Sequence, residues 1–157
     1  MVTRMPKYAE ATTVASDRSR AEIERTLRRY GASAFAYGWE DQTAHVAFKI
    51  GGRQIRFRIP LPDRAGFTRT PTGRTRSQSA ADEAWEQAVR QRWRALALVI
   101  KAKLEAVEAG ITTVEDEFLA AVALPDGRTV GEWVRPQLAV AYGRGDMPAL
   151  LPGGPGA

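Results

Sequence analysis

The sequence predicts an α+β fold: an N-terminal helix, a three-stranded antiparallel meander, a long packing helix and then shorter C-terminal helices. Three observations carry this. Between residues 33 and 61, three successive runs alternate large apolar residues with small or polar ones, the period of a strand. Gly51-Gly52 separates the second run from the third, and two adjacent glycines, both tolerant of positive φ, favour a two-residue hairpin. Trp85, Val89, Trp93, Leu96, Ile100, Leu104 and Val107 then recur at helical spacing.

Residues 1–16 read as a flexible arm and 17–146 as a single α+β domain. Residues 147–157 read as a Pro/Gly-rich tail in which Met147, Leu150 and Leu151 are placed to dock on the body. Ser19 followed by Glu22 has the pattern of a capping box, Ile23, Leu27 and Tyr30 form a helical apolar face, and Gly31 supplies a stop. Strands are expected at 33–40, 43–50 and 53–61. With Gly51-Gly52 as the loop, Ile50 faces Arg53, Phe48 faces Ile55 and Val46 faces Phe57. Phe35, Tyr37 and Trp39 then share the core face with Val46, Phe48, Ile55 and Phe57, and core packing rather than base stacking is their expected role. The opposite face carries Ala34, Ala36, Gly38 and Ala47 with His45, Lys49, Gln54, Arg56 and Arg58, a smooth and basic surface. The third strand lies at a sheet edge with few inward charges, which invites pairing with another copy and predicts a homo-oligomer.

Pro60 and Pro62 end that strand and open a loop over 63–79. Its four arginines, Arg64, Arg69, Arg74 and Arg76, are opposed within the loop only by Asp63. Ser79 with Asp82 is the expected cap of the long helix, 80–109, which should lie on the apolar sheet face. Thr113 to Asp116 opens a short helix, Pro125-Asp126-Gly127 is a turn, and Thr129 with Glu132 forms a third capping box. Pro136 should kink or restart the helix that follows.

Composition limits the chemistry. The 157 residues suffice for one domain with a real core, and the apolar fraction of 44% is that of a globular chain. No cysteine is present, which removes disulfides, thiolate metal sites and thiol nucleophiles, and the single histidine, His45, leaves one imidazole for acid–base work. No run of apolar residues is long enough to span a membrane, and the N-terminal residues lack a signal-peptide core, so a cytoplasmic protein without cofactors is expected. The net charge of +5 favours polyanionic partners. Apart from Lys7, Lys49, Lys101 and Lys103 every basic residue is arginine, the residue suited to bidentate phosphate contacts and also the one that GC-rich coding enriches.

Catalytic motifs fare poorly. Gly73-Arg74-Thr75 faintly echoes a phosphate-binding loop but lacks the lysine and the preceding apolar strand. Pro62-Asp63 and Pro125-Asp126 lack the downstream Glu-x-Lys that would complete a nuclease metal site. Glu115, Asp116 and Glu117 fall in the first turn of a helix, where acids complement its dipole without any metal. His45 has only Glu40 and Asp41 near it in sequence as catalytic partners. No catalytic role is assigned and an enzyme is not expected.

The segments RAEIERTLRRYGA, WEQAVRQRWRALALVIKAKLEAVEAGITT and LPDGRTVGEW resemble a family of short proteins encoded by tailed phages and prophages. The resemblance covers most of residues 17–152 and implies a setting in the host cytoplasm, near replication or recombination; it brings no site residue. The order helix, meander, long helix also resembles that of ring-forming strand-annealing proteins, a likeness at the level of fold.

The leading expectation is therefore a nucleic-acid-binding accessory protein, favouring single-stranded DNA binding or annealing. Lys49, Arg56, Arg58, Arg64, Arg69, Arg74 and Arg76 are its phosphate-contacting candidates and Phe67 the candidate for base stacking. Arg90, Arg94 and Lys101 on the long helix would extend the patch. The alternative is a module that binds and modulates a host or phage protein.

Overall fold

A computed structural model describes residues 7–147, with side chains from Asp17 onward. Helix α1 spans Lys7–Arg29, strands β1, β2 and β3 span Ala34–Glu40, Thr43–Ile50 and Arg53–Pro60, and helices α2, α3 and α4 span Gln78–Glu108, Val114–Phe118 and Val130–Arg144. Two 3₁₀ turns, Arg64–Phe67 and Leu119–Ala121, punctuate the connections. The fold is the α+β arrangement read from the sequence.

The sheet is a meander in the order β1-β2-β3, antiparallel throughout. Its register matches the expectation, with Ile50 opposite Arg53, Phe48 opposite Ile55 and Val46 opposite Phe57. Gly51 and Gly52 adopt φ of 57° and 73°, the doubly positive pair that gives a two-residue turn the twist of its strands. Phe35 pairs with Phe48, Tyr37 with Val46 and Trp39 with Ala44, so the odd residues of β1 do share the apolar face.

Sharing the face does not bury them. Phe35 is half-buried against the core, while Tyr37 is 47% and Trp39 74% exposed. β1 is a sheet edge, and the buried cluster is centred on β2 and β3, where Val46, Phe48, Ile55 and Ile59 meet Trp85, Val89, Trp93, Ile100 and Leu104 of α2 and Ile23 and Leu27 of α1. At the edge, the Arg20 guanidinium lies 3.9 Å from the centre of the Tyr37 ring. Trp39 lies beyond that contact. Phe57 is half-buried, Trp93 is buried, and Phe118 closes the cluster with its ring edge-on to Phe48 at 5.6 Å and to Phe57 at 6.2 Å.

Several boundaries depart from the sequence reading. α1 begins at Lys7, so residues 7–16 are helical rather than an extended arm, and Ser19 lies inside the helix instead of capping it. The α2 cap is Ser77, whose hydroxyl accepts from the Ala80 amide at 3.2 Å, in place of Ser79. Pro136 neither stops nor restarts α4, which continues to Arg144 and ends on Gly145 at a φ of 73°. Met147 is fully exposed instead of docked, and Leu150 and Leu151 lie outside the described residues. The β3 edge is not open along its length: Val122 bridges Ile55, and the Ala123 amide donates to the Gln54 carbonyl at 2.8 Å. The short hairpin formed where Ala123 meets Thr129 thus occupies the edge expected to pair with another copy at Gln54 and Ile55.

Candidate nucleic-acid interface

The polar sheet face is built as the alternation requires. Lys49 sits opposite Gln54, Ala47 opposite Arg56 and His45 opposite Arg58, so the three basic candidates project from one side of two adjacent strands. What the strand pattern could not contain is the element packed on that side. The hairpin beside β3 delivers the N-terminus of α4, and its capping box fixes Glu132: the Thr129 hydroxyl accepts from the Glu132 amide at 3.2 Å, and the Glu132 carboxylate accepts from the Thr129 amide at 2.8 Å. The same carboxylate lies 3.4 Å from Arg56 and 3.6 Å from Arg58. Arg56 also donates to the Gly127 carbonyl at 2.6 Å and is half-buried. The Thr129 amide first, and Arg56 and Arg58 after it, hold the Glu132 carboxyl below the usual glutamate range despite its partial burial. Arg56 and Arg58 therefore clamp α4 to the sheet. Lys49 is exposed, with no acidic partner among the described residues.

The arginine loop is tied to the body and to itself by side-chain contacts. Asp63 caps its 3₁₀ turn by accepting from the Ala65 amide at 3.2 Å. Arg64 lies 3.8 Å from the centre of the Trp85 ring and 3.0 Å from Asp82, a buried carboxylate of α2 that also accepts from Gln78. Arg76 points inward and donates to the carbonyls of Phe67 at 3.1 Å and Arg69 at 2.9 Å. Residues 69–75 form a miniature hairpin, with Arg69 bridging Thr75 and the Thr70 amide donating to the Arg74 carbonyl at 2.8 Å. Phe67 is half-buried against the core, so it anchors the loop instead of offering a free ring for stacking. The Trp85 indole nitrogen donates to the Pro62 carbonyl at 2.6 Å, fixing the loop's origin. Arg69 and Arg74 remain exposed, their guanidinium groups without a partner among the described residues.

The seven basic candidates do not form one surface. Lys49, Arg56 and Arg58 stand on the polar face of the sheet, whereas the loop packs on α2, which covers the apolar face. An open groove of about 490 Å³ lies between the loop and α2, lined by Phe67, Arg69, Arg76, Ala84, Ala88 and Gln91. The helix cations do not extend either patch cleanly, since Arg90 lies 3.9 Å from Glu86 and Lys101 3.9 Å from Glu105. Sequence reasoning missed Asp82 and Glu132 as the acids that neutralise these arginines. Sequence spacing shows both only as cap residues, because their partners lie 18 and 76 residues away in the chain.

Sequence reasoning also passed over the apolar surface of α4. No residue of this helix is buried. Arg135, Leu138, Ala139 and Tyr142 are all exposed and recur at the spacing of one helical stripe. The signal was present in VGEWVRPQLAVAY, which is apolar almost all round and has no polar face to set against a core. Among the described residues no three of His, Asp and Glu converge on a metal-sized site, and no helix is long and apolar enough to cross a membrane. No family model, curated protein or solved structure matches the chain.

Proposed function

We propose that this chain is a non-enzymatic interaction protein of the host cytoplasm that binds a host or phage protein through the exposed face of α4. The observation that carries this reading is a fifteen-residue apolar helix that buries none of its residues. Its first turn is pinned to the body, by the capping box, by the clamp of Arg56 and Arg58, and by the approach of Gly131 to Ala120. Beyond that turn the stripe of Leu138, Ala139 and Tyr142 points to solvent with Arg135 and Arg144 beside it. An apolar helix face with cationic flanks suits an apolar groove with an acidic rim, the helix-in-groove mode of recognition. Contiguous exposed apolar surface is a mark of an interaction site.

The experiment places a photoreactive side chain at Ala139 and exposes the full chain to host extract. A captured protein supports the reading only if excess wild-type chain competes it away, Leu138→Asp/Tyr142→Asp chain does not, and the purified protein binds the wild-type chain. Failure of that competition overturns it.

A second reading, single-stranded DNA binding or annealing in replication or recombination, is favoured by one observation: Lys49, Arg69 and Arg74 are exposed without acidic partners among the described residues, on a chain of net charge +5. Three such contacts make a weak, salt-sensitive site. Removing each should lower the steepness of the salt dependence by about 0.7 for a single strand. If wild-type chain binds DNA at low salt and Lys49→Gln/Arg69→Gln/Arg74→Gln loses that slope, this second reading replaces the first.

A further inference from the structure

Helix α2 carries a second apolar face, and α4 plays no part in it. Its inner face, with Trp85, Val89, Trp93, Ala97, Ile100 and Leu104, is the wall of the core. On the opposite side Leu98 is 58% exposed and Val99 is exposed beside it, flanked along the helix by exposed Ala95 and Ala102. These belong to a longer seam in which Ala84, Ala88, Gln91, Ala95, Leu98, Ala102, Glu105 and Ala109 alternate by four and three residues, the spacing of a coiled-coil face. The alanines allow close approach of a second helix, and Leu98 and Val99 supply the apolar area.

We propose that a second copy of this chain covers this face, its α2 lying antiparallel to the first about a two-fold axis near Ile100, so that each Leu98 packs on the other copy's Ala102.

Two features choose a second copy in this orientation. The first is charge. One flank of the seam carries Arg94 in its N-terminal half and Glu108 in its C-terminal half, with Lys101 between them. Antiparallel pairing sets Arg94 beside Glu108 of the other copy, whereas in-register parallel pairing sets Arg94 beside Val99 of the other copy, with no acid to meet it. Lys101 meets its own equivalent near the axis, where Glu105 of its own helix, 3.9 Å away, partly offsets the repulsion. The second feature is shape. Just past the C-terminal end of α2, Ile111 is 80% exposed. The same two-fold brings it level with residue 89 of the other copy, beside Phe67, Ala88 and Gln91 in the groove at the N-terminal half of α2. One surface thus holds both the knob and the hole, as a two-fold interface requires.

The test uses the full chain. Sedimentation equilibrium from micromolar to several hundred micromolar should show a monomer–dimer equilibrium. Leu98→Asp should raise its dissociation constant at least about 30-fold, the loss of a central interface anchor, while leaving the unfolding midpoint extrapolated to monomer unchanged. Arg94→Glu should weaken the dimer, and Arg94→Glu/Glu108→Arg should restore it. Because the chain has no cysteine, orientation can be read directly. Leu98→Cys mixed with Ala102→Cys should form the mixed disulfide faster than either forms its own, and the reverse preference would mean parallel pairing and overturn the proposal. A monomer at all concentrations overturns it, as does a dimer indifferent to Leu98→Asp. Protection of the Leu98→Cys thiol from alkylation in a monomer would mean that another part of the chain covers the face, and would overturn it too.

Discussion

Helices α2 and α4 are both capped by a hydroxyl side chain and both rich in apolar residues, yet α2 buries Trp85, Val89, Trp93, Ala97, Ile100 and Leu104 while α4 buries nothing. The cause is position relative to the sheet. α2 crosses the apolar face over β2 and β3, where removing each large side chain from water contributes about 1.5–3 kcal/mol. α4 meets the protein mainly through its first turn, where Val130 reaches the margin of the core, Glu132 meets Arg56 and Arg58, and Gly131 passes close over the Ala120 carbonyl. Apolar sequence therefore does two different jobs here. In α2 it builds the fold, and in the exposed part of α4 it builds a surface.

The contrast can be broken most severely from the core side. Leu104→Ala and Phe118→Ala should each cost about 2–5 kcal/mol in equilibrium unfolding, because both side chains are almost fully enclosed and their neighbours cannot collapse into the space. A loss below 1 kcal/mol would mean that the core is looser than its packing implies. Next comes the hinge between the regions. A Cβ on Gly131 would sit 2.9 Å from the Ala120 carbonyl oxygen, so Gly131→Ala should cost about 1–3 kcal/mol through backbone displacement. Wild-type stability in that variant would place α4 differently.

The clamp on α4 should also be visible in acid. The Glu132 carboxyl is held low by the Thr129 amide and then by Arg56 and Arg58. A carboxylate favoured in the folded state contributes stability that is complete above its unfolded pKa and is lost as pH falls through the lower folded value. Wild-type chain should therefore lose part of its stability below the ordinary glutamate range, and Glu132→Gln should flatten that part of the profile. A profile unchanged by Glu132→Gln would detach α4 from the sheet arginines. The smallest effect is expected at the far end: Leu138→Asp/Tyr142→Asp should shift unfolding by less than about 0.5 kcal/mol, since both side chains already face water.

What could be read from the sequence follows the range of the interactions involved. Strand register was legible because Gly51-Gly52 fixes one turn and a period of two then fixes every pair along β2 and β3. The Thr129 capping box was legible because all its partners lie within four residues. The exposure of Tyr37 and Trp39 was not, since their alternation gives the face but only the placement of α1 and α2 gives the cover. The candidate site suffered most. Seven basic residues look like one patch along the chain, yet Arg56 and Arg58 answer to Glu132, Arg64 to Asp82 and Arg76 to two carbonyls of its own loop. Charge counted along a sequence says nothing of the acid that folding brings opposite it.

The surplus apolar face of α4 is the central claim, and the measurement that tests it most directly is the affinity of the purified captured protein for wild-type chain and for Leu138→Asp/Tyr142→Asp. With both chains showing the same unfolding midpoint, the double variant should bind at least about 30-fold more weakly, as expected for the loss of a central interface anchor. Equal affinity for the two chains, at equal stability, would contradict the account and leave α4 without a partner.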